Sequence, residues 1–266
     1  MSDYSKTCLT IAGSDSSGGA GVQADLKTFS ATGTYGMSVI TAITAQNTVA
    51  VYDVLDLPGD IIRRQMEVVF EDIFPDGVKI GMVSSPEIIN VIADTLENFK
   101  PKFVVVDPVM ISKSGYYLLK PEAVETLKKR LVPLAYLLTP NIPEAEELSG
   151  IHIENVEDMK KAGQAIQAMG ARNVLMKGGH FTDTADDLLV LEDGSTVLLP
   201  QERIDSKNTH GTGCTISSAI TSYLAQGNDV EQAVRLAKQY ITGAISASFS
   251  LGHGCGPVHH FYQFDR

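Results

Sequence analysis

The sequence predicts an α/β fold, a mostly parallel sheet with helices on both sides. Three observations predict it. Short β-rich runs alternate with helical patterns along all 266 residues. The run Phe103-Val104-Val105-Val106 is apolar on both faces, as a strand buried between two helical layers should be. In the pattern that begins near Gly213, Ile216, Ile220 and Leu224 recur every fourth residue, which marks one buried helix face.

Strands are expected over 8–12, 38–45, 51–57, 77–80, 103–107, 136–139, 173–177, 187–191 and 196–199. Helices are expected between them, over 21–32, 59–73, 86–99, 121–131, 156–169, 213–225 and 230–249. The last two strands flank Glu192-Asp193-Gly194-Ser195 and read as an antiparallel hairpin. No internal repeat, low-complexity tract or Pro/Gly/Ser linker divides the chain, so one domain over 1–266 is expected. In a parallel sheet ligands collect at the carboxyl ends of the strands, which makes the loops after the strands the informative ones.

Composition narrows the function. Apolar residues are 44% and charged residues 20%, ordinary globular usage that excludes a disordered chain. Lys plus Arg is 21 against 32 for Asp plus Glu, a formal charge of −11. That balance argues against nucleic acid or an anionic membrane as partner, although a few local donors still suffice for a small anion. Cys8, Cys214 and Cys255 are too few and too far apart for a disulfide framework and fit a reducing compartment. The first residues lack a basic stretch followed by an apolar run, and no segment approaches the ~20 apolar residues of a membrane span. A soluble cytoplasmic protein is expected.

Two glycine-rich loops stand out. The first, Ala12-Gly13-Ser14-Asp15-Ser16-Ser17-Gly18-Gly19-Ala20-Gly21, follows the first strand and opens a helix. Gly19 to Ala24 formally matches the dinucleotide fingerprint, but the glycines come late and no acidic residue ends the second strand, which closes on Ala45-Gln46-Asn47-Thr48. Asp25 either favours the helix dipole or bonds a ligand's amino group. Gln46 offers a donor and an acceptor together, which suits an aromatic heterocycle, though a loop Gln is often plain surface.

The second loop, Asn208-Thr209-His210-Gly211-Thr212-Gly213-Cys214-Thr215, directly precedes an amphipathic helix. Its amides at a helix start form an anion hole, and the same partial charge is expected to lower the pKa of Cys214 towards thiolate. The bland alternative is a tight turn with a small buried cysteine. No Gly-Lys-Ser/Thr occurs, so a nucleotide is held here without a P-loop lysine. A cysteine hydrolase with His210 as base ranks below these readings, because no triad pattern is legible.

Asp107 ends the most buried strand, and Thr139-Pro140-Asn141-Ile142-Pro143-Glu144 ends the next. Asp107 and Glu144 are placed to reach a Mg²⁺ beside phosphates, directly or through water. Pro143 and Glu144 equally suit a helix N-terminus. Lys177-Gly178-Gly179-His180 puts a cation at the same sheet edge. The segment His253-Gly254-Cys255-Gly256-Pro257-Val258-His259-His260 matches no four-ligand zinc spacing and reads as a glycine loop packing the C-terminus.

Together these segments resemble the ribokinase-like superfamily, and within it the hydroxymethylpyrimidine/phosphomethylpyrimidine kinase family of thiamine biosynthesis. The resemblance rests on 12–25 (AGSDSSGGAGVQAD), 42–48 (AITAQNT), 79–82 (KIGM), 107–110 (DPVM), 139–144 (TPNIPE), 177–180 (KGGH), 209–215 (THGTGCT) and 252–261, and it covers nearly the whole chain. It implies a three-layer α/β/α sandwich, commonly a homodimer. It implies transfer of phosphate from ATP, with Mg²⁺, to 4-amino-5-hydroxymethyl-2-methylpyrimidine and then to its monophosphate. Cys214 matches the family's catalytic base, and Gly211, Thr212, Gly213 and Cys214 its anion-hole amides. Gln46, Asp25, Gly13, Met82 and Val109 match positions around the pyrimidine. Asp107 and Glu144 match the carboxylates on the Mg²⁺ side, and Asn141, Lys177 and Thr209 lie by the nucleotide. The segment Ile111-Ser112-Lys113-Ser114-Gly115 is the candidate lid, and Cys255 has no assigned part. The rivals are a pyridoxal kinase of the same superfamily, against which Gln46 favours the pyrimidine, and a dinucleotide-dependent oxidoreductase using the first glycine loop.

Overall fold

A computed structural model describes residues 6–110, 118–179 and 185–265. The candidate lid and His180 lie outside the described residues. In chain order the elements are β1 (Thr7–Asp15), α1 (Gly21–Ala31), β2 (Tyr35–Gln46), β3 (Val51–Asp56), α2 (Gly59–Asp72), β4 (Gly77–Ile80), α3 (Pro86–Phe99), β5 (Val104–Val106), α4 (Pro121–Arg130), β6 (Leu137–Leu138), α5 (Ile142–Ser149), α6 (Val156–Gln167), β7 (Asn173–Met176), β8 (Asp187–Val190), β9 (Thr196–Leu199), α7 (Thr212–Ala225) and α8 (Val230–Ser246).

Among the described residues the strands form one nine-stranded sheet in the order β3-β2-β1-β4-β5-β6-β7-β8-β9. From β2 to β7 every pairing is parallel, and β3, β8 and β9 are antiparallel. The central strand explains the layering. Val104 and Val106 point to one face and pack with Ile62, Ile89, Ile92, Leu127 and Ile166 of α2, α3, α4 and α6. Val105 points the other way, to Ile216, Ile220, Val234 and Tyr240 of α7 and α8. A strand with helices on both faces has no polar side, which is why 103–106 reads as continuous hydrocarbon. The fold is the α/β sandwich that the alternation predicts.

Two boundaries bear on the site. β1 runs on to Asp15, beyond the expected end at residue 12, because the chain shifts register between Ala12 and Ser14 and resumes pairing with β2. The 139–144 segment continues into α5, which is absent from the expected helices. Asn141 caps its start, and its C-cap Gly150 takes a left-handed conformation at φ 71°. Strand order reverses between β1 and β4, so their carboxyl ends open a crevice at the switch point.

Candidate active site

The crevice is walled on one side by the first glycine loop, and Asp15 organises that wall. One carboxylate oxygen accepts from Ser17 N at 2.8 Å and from Ser17 Oγ at 2.8 Å. The other accepts from Gly19 N at 3.0 Å, Ala20 N at 2.8 Å and His210 Nε2 at 2.9 Å. Burial opposes the charge, but the His210 ring and the Ser17 donors outweigh it and hold Asp15 below the usual carboxylate range. These loop amides close on their own carboxylate, so they are not the pyrophosphate cradle of a dinucleotide site. His210 is committed to Asp15 as well, which leaves it no hydrolase role towards Cys214.

His210 also locks the second loop to the first. Its backbone N–H donates to the Gly256 carbonyl of the C-terminal glycine segment at 3.0 Å. Gly211 has φ 80° and stands against the Gly19 carbonyl, where a β-carbon would collide. The C-terminal segment packs this loop, as the sequence suggests. His260 Nε2 lies 3.1 Å from Thr215 Oγ1, and Cys255 Sγ lies 3.5 Å from Thr209 Oγ1.

Cys214 sits in the first turn of α7. The expected thiolate is corrected here. Burial comes first and pushes the thiol up to about 11, the Asp25 and Asp107 carboxylates add to it, and Lys79 and a hydrogen bond from Gly21 N–H only partly offset them. The helix-end argument fails because the thiol is buried, and because two carboxylates share the site. The sulfur is nevertheless not sealed in hydrocarbon, since the residue is partly exposed and the thiol's electrostatic neighbours are Lys79, Asp25 and Asp107.

Beneath it lies an ion pair that the sequence reading leaves without a role. Lys79 Nζ is fully buried and bonds both oxygens of Asp25, at 3.0 and 2.9 Å. Asp25 also accepts from Thr10 Oγ1 at 2.6 Å and from Ser218 Oγ at 2.7 Å. Burial disfavours the ammonium, yet Asp25 outweighs it and raises the Lys79 pKa. With four hydrogen bonds from three donor groups around it, Asp25 reaches the crevice through Lys79 and the Ser218 hydroxyl on α7 and not as a free ligand group. The signal for this pair was a lysine inside the otherwise apolar strand Gly77–Ile80.

At the next strand ends, Asp107 Oδ1 accepts from Lys177 Nζ at 2.8 Å and from Thr139 Oγ1 at 3.1 Å. Its Oδ2 lies 3.4 Å, and Lys177 Nζ 3.6 Å, from the point where a β-carbon on Gly213 would stand. The anion-hole glycine, a carboxylate and an ammonium thus meet. Glu144 and Asn141 form a capping box: Asn141 N donates to Glu144 Oε2 at 2.8 Å and Glu144 N to Asn141 Oδ1 at 2.9 Å. The helix N-terminus reading of Glu144 is thus observed; burial first and then Asp107 push its pKa up to about 7 against the pull of Lys177. Two hard-oxygen carboxylates with one ammonium between them fit a divalent cation that completes its shell with water and phosphate. Among the described residues no cluster of three or more ligands forms a full protein cage.

The remaining residues divide. A β-carbon on Gly13 would lie 3.1 Å from Met82 Cε, so these two share one wall. Gln46 is half-buried and borders His210 and Thr44. Val109 follows Asp107, its N–H on the Asp107 carbonyl at 2.8 Å. Thr209 faces Cys255, and its carbonyl accepts from Thr212 N at 3.3 Å, so its side chain is not gathered with Lys177. Asp15, Thr44 and Lys79 are the site residues for which sequence reasoning named no role, and for His210 it named only that of a hydrolase base.

The chain is similar to known proteins over most of its length. A family model for phosphomethylpyrimidine kinase matches residues 15–259. A hydroxymethylpyrimidine/phosphomethylpyrimidine kinase of Rhizobium meliloti is 51% identical over 96% of this chain and 97% of its own. A thiamine biosynthesis bifunctional protein of Geobacter sulfurreducens is 52% identical over 95% of this chain, which spans about half (51%) of that relative. The crystal structure of phosphomethylpyrimidine kinase from Clostridium difficile 630 is 62% identical, with a TM-score of 0.81 over 90% of this chain and 99% of that one. The ADP complex of Bacillus subtilis pyridoxal kinase is 41% identical, with a TM-score of 0.90 over 97% of this chain and 98% of that one. With Asp15, the second glycine loop and the cysteine inside the matched span, the chain belongs to the phosphomethylpyrimidine kinase family.

Proposed function

We propose that this protein transfers the γ-phosphate of ATP to the hydroxymethyl group of 4-amino-5-hydroxymethyl-2-methylpyrimidine, and in a second turnover phosphorylates the monophosphate to the diphosphate, as a step of thiamine biosynthesis. The observation that carries the reading is the meeting of Gly213 at the α7 start with Asp107 and Lys177. Phosphoryl transfer is mainly positioning and charge stabilisation, and this is where a phosphoryl group meets helix amides and an ammonium. Lys177 and the Asn141 amide face the nucleotide phosphates. Asp107 and Glu144 would hold Mg²⁺, largely through water, where it balances phosphate charge.

The acceptor lies between Gln46 and the Gly13–Met82 wall, with its hydroxyl towards Cys214. The base is the thiolate, a minor form in the free protein that Lys79 and the Gly21 N–H stabilise. Its high pKa makes that thiolate strongly basic, and a loose transition state asks for the alcohol proton only late. In a coupled assay with ATP and Mg²⁺, both pyrimidines are expected to turn over, and turnover of neither overturns the reading.

Pyridoxal is a second acceptor worth testing in the same assay, because a pyridoxal kinase aligns over 97% of this chain. We further propose one kinase domain, a cytoplasmic protein and a homodimer. Ile43 and Leu55 pair directly across β2 and β3 and are 49% and 65% exposed, an apolar hairpin face that a second copy would cover. Sedimentation analysis of wild type and Leu55→Glu tests this, with a wild-type monomer as the contrary result. Among the described residues no helix is long and apolar enough to cross a membrane.

A further inference from the structure

We propose that the buried Lys238–Asp187 pair is a positioning device for the nucleotide side of the site: Asp187 takes the Gly178 N–H and so fixes the peptide that follows Lys177, and Lys238 holds that acceptor in place. The inference rests on the kinase reading above, in which Lys177 faces the nucleotide phosphates, and deepens it.

Lys177 stands one residue beyond β7, where regular pairing gives out. The β7–β8 ladder sets Val174 against Val190, Leu175 against Leu189 and Met176 against Leu188, and it ends there. A side chain carries the contact on: Asp187 Oδ1 accepts from Gly178 N at 2.9 Å. On the other flank, Lys177 N donates to the Pro140 carbonyl at 2.9 Å, and its Nζ donates to Asp107 Oδ1 at 2.8 Å. Lys177 is thus held at both of its peptides and at its ammonium, by three separate segments of the chain. Glycine at 178 permits the close approach, because a β-carbon there would collide with the Asp186 carbonyl.

A carboxylate buried this deeply needs a counter-charge, and α8 supplies it. Asp187 and Lys238 are both buried. Burial pushes the Asp187 carboxyl up, and the Lys238 ammonium is the largest influence against it. Lys238 Nζ donates to Asp187 Oδ2 and to the Ala185 carbonyl at 3.2 Å, so it clamps the chain entering β8 together with the carboxylate. The two carboxylate oxygens therefore divide: Oδ2 faces α8, and Oδ1 faces the Lys177–Gly178 peptide. A buried ion pair that served packing alone could be replaced by hydrocarbon of similar volume at little cost. The bond to Gly178 is what hydrocarbon cannot supply.

The link runs from the middle of α8 to the phosphate side of the crevice. A shift of the Lys177–Gly178 peptide swings the lysine stem and moves its ammonium relative to Asp107 and the α7 start. Phosphoryl transfer is mainly positioning, so a small misplacement there is costly. The Gly13–Met82 wall is spared, because it belongs to β1 and the end of β4, and β5 and β6 separate β4 from β7. Loss of the Gly178 bond should therefore appear in the constants for ATP and not in those for the pyrimidine.

The test uses double variants that share Lys238→Met, so that no buried ammonium is left unpaired. Asp187→Asn keeps an oxygen for the Gly178 N–H, whereas Asp187→Leu fills a similar volume without one. The leucine variant is expected to raise both the KM for ATP and the Kd for ATP, read by calorimetry with Mg²⁺ present, about tenfold, while the KM for the pyrimidine stays within about twofold. The asparagine variant is expected to stay within about threefold of wild type in all three constants. Thermal melting should rank the two in the opposite order, because asparagine buries a polar group where leucine buries hydrocarbon. A merely structural pair would instead make the ATP constants follow the melting. Asp187→Ala, again with Lys238→Met, takes the place of the leucine variant if that one does not fold. ATP constants that are equal in the asparagine variant and its leucine or alanine counterpart, or worse in asparagine, overturn the positioning role. A wild type that binds ATP but phosphorylates neither pyrimidine overturns the acceptor reading and leaves the ATP titrations to decide this one, and a wild type that does not bind ATP overturns both.

Discussion

In the first glycine-rich loop the amides of Gly19 and Ala20 donate to Asp15, and Ser17 adds both its amide and its hydroxyl. In the second, the Thr215 N–H is already in the helix, on the Gly211 carbonyl, while among the described residues the N–H groups of Gly213 and Cys214 donate to no protein acceptor. Both loops are rich in small residues and both open a helix. The difference is one carboxylate. A loop that holds an acidic residue at its root consumes its own donors and becomes a shaped wall. A loop without one keeps its donors for an anion brought from outside. Glycine content alone therefore says that a backbone comes close to something, not that it binds.

The largest expected effect breaks the second loop's chemistry and leaves its shape. Cys214→Ala should lower kcat by about a thousandfold, within the range for loss of a general base, with the KM for ATP nearly unmoved. A loss below about tenfold would reduce Cys214 to a packing residue and make both loops walls.

The first loop should break through stability. Asp15→Ala leaves buried N–H groups and the His210 ring without their acceptor, and should lower the unfolding free energy by about 3–5 kcal/mol. Thr209→Val in the second loop should cost less than about 1 kcal/mol. Denaturant titration of the two variants checks the contrast, and equal losses would erase it.

Acid should separate the loops in turn. His260 backs the start of α7 through Thr215, and burial first, then Lys27 and His259, bring its pKa down to about 4. The folded pKa lies below the unfolded one, so the stability His260 lends is complete above about pH 6.5 and is lost as pH falls towards 4, about 3 kcal/mol in all. Asp15 is also depressed, but from an ordinary carboxylate value, so its share is lost only at lower pH. Hydrogen exchange between pH 7 and 4 should therefore loosen the first turn of α7 before the amides of Gly19 and Ala20, and the reverse order would contradict the assignment of His260 to the second loop.

Much of this was legible in the residues. The layered sheet followed from the alternation and from hydrocarbon on both sides of 103–106, and the loops after the strands were the right places to look. Asp107, Lys177 and the Gly-Thr-Gly-Cys run do converge at the α7 start. What local reading missed are pairs distant in the chain. Asp15 meets His210 across 195 residues, and Lys79 meets Asp25 across 54. Spacing rules carry no term for such partners. The cysteine pKa failed for a related reason: a helix end is visible in sequence, whereas the burial of the thiol and the two carboxylates folded in beside it are not.

The smallest effect sharpens the comparison most finely. Gly13→Ala would place its new carbon 3.1 Å from Met82 Cε and 3.2 Å from Sδ, the flexible end of a side chain that can yield. Gly211→Ala would push a carbon into the Gly19 carbonyl at a φ of 80°, where neither partner can move away. Gly13→Ala should thus cost about 1 kcal/mol or less, with Gly211→Ala clearly above it. The kinetic signature of Gly13→Ala should be a raised KM for the pyrimidine and an unchanged KM for ATP, because the displaced Met82 narrows the acceptor wall and touches nothing on the Lys177 side. A rise in the ATP constant instead would mean that the first loop faces the nucleotide, and the division of labour between the two loops would have to be exchanged.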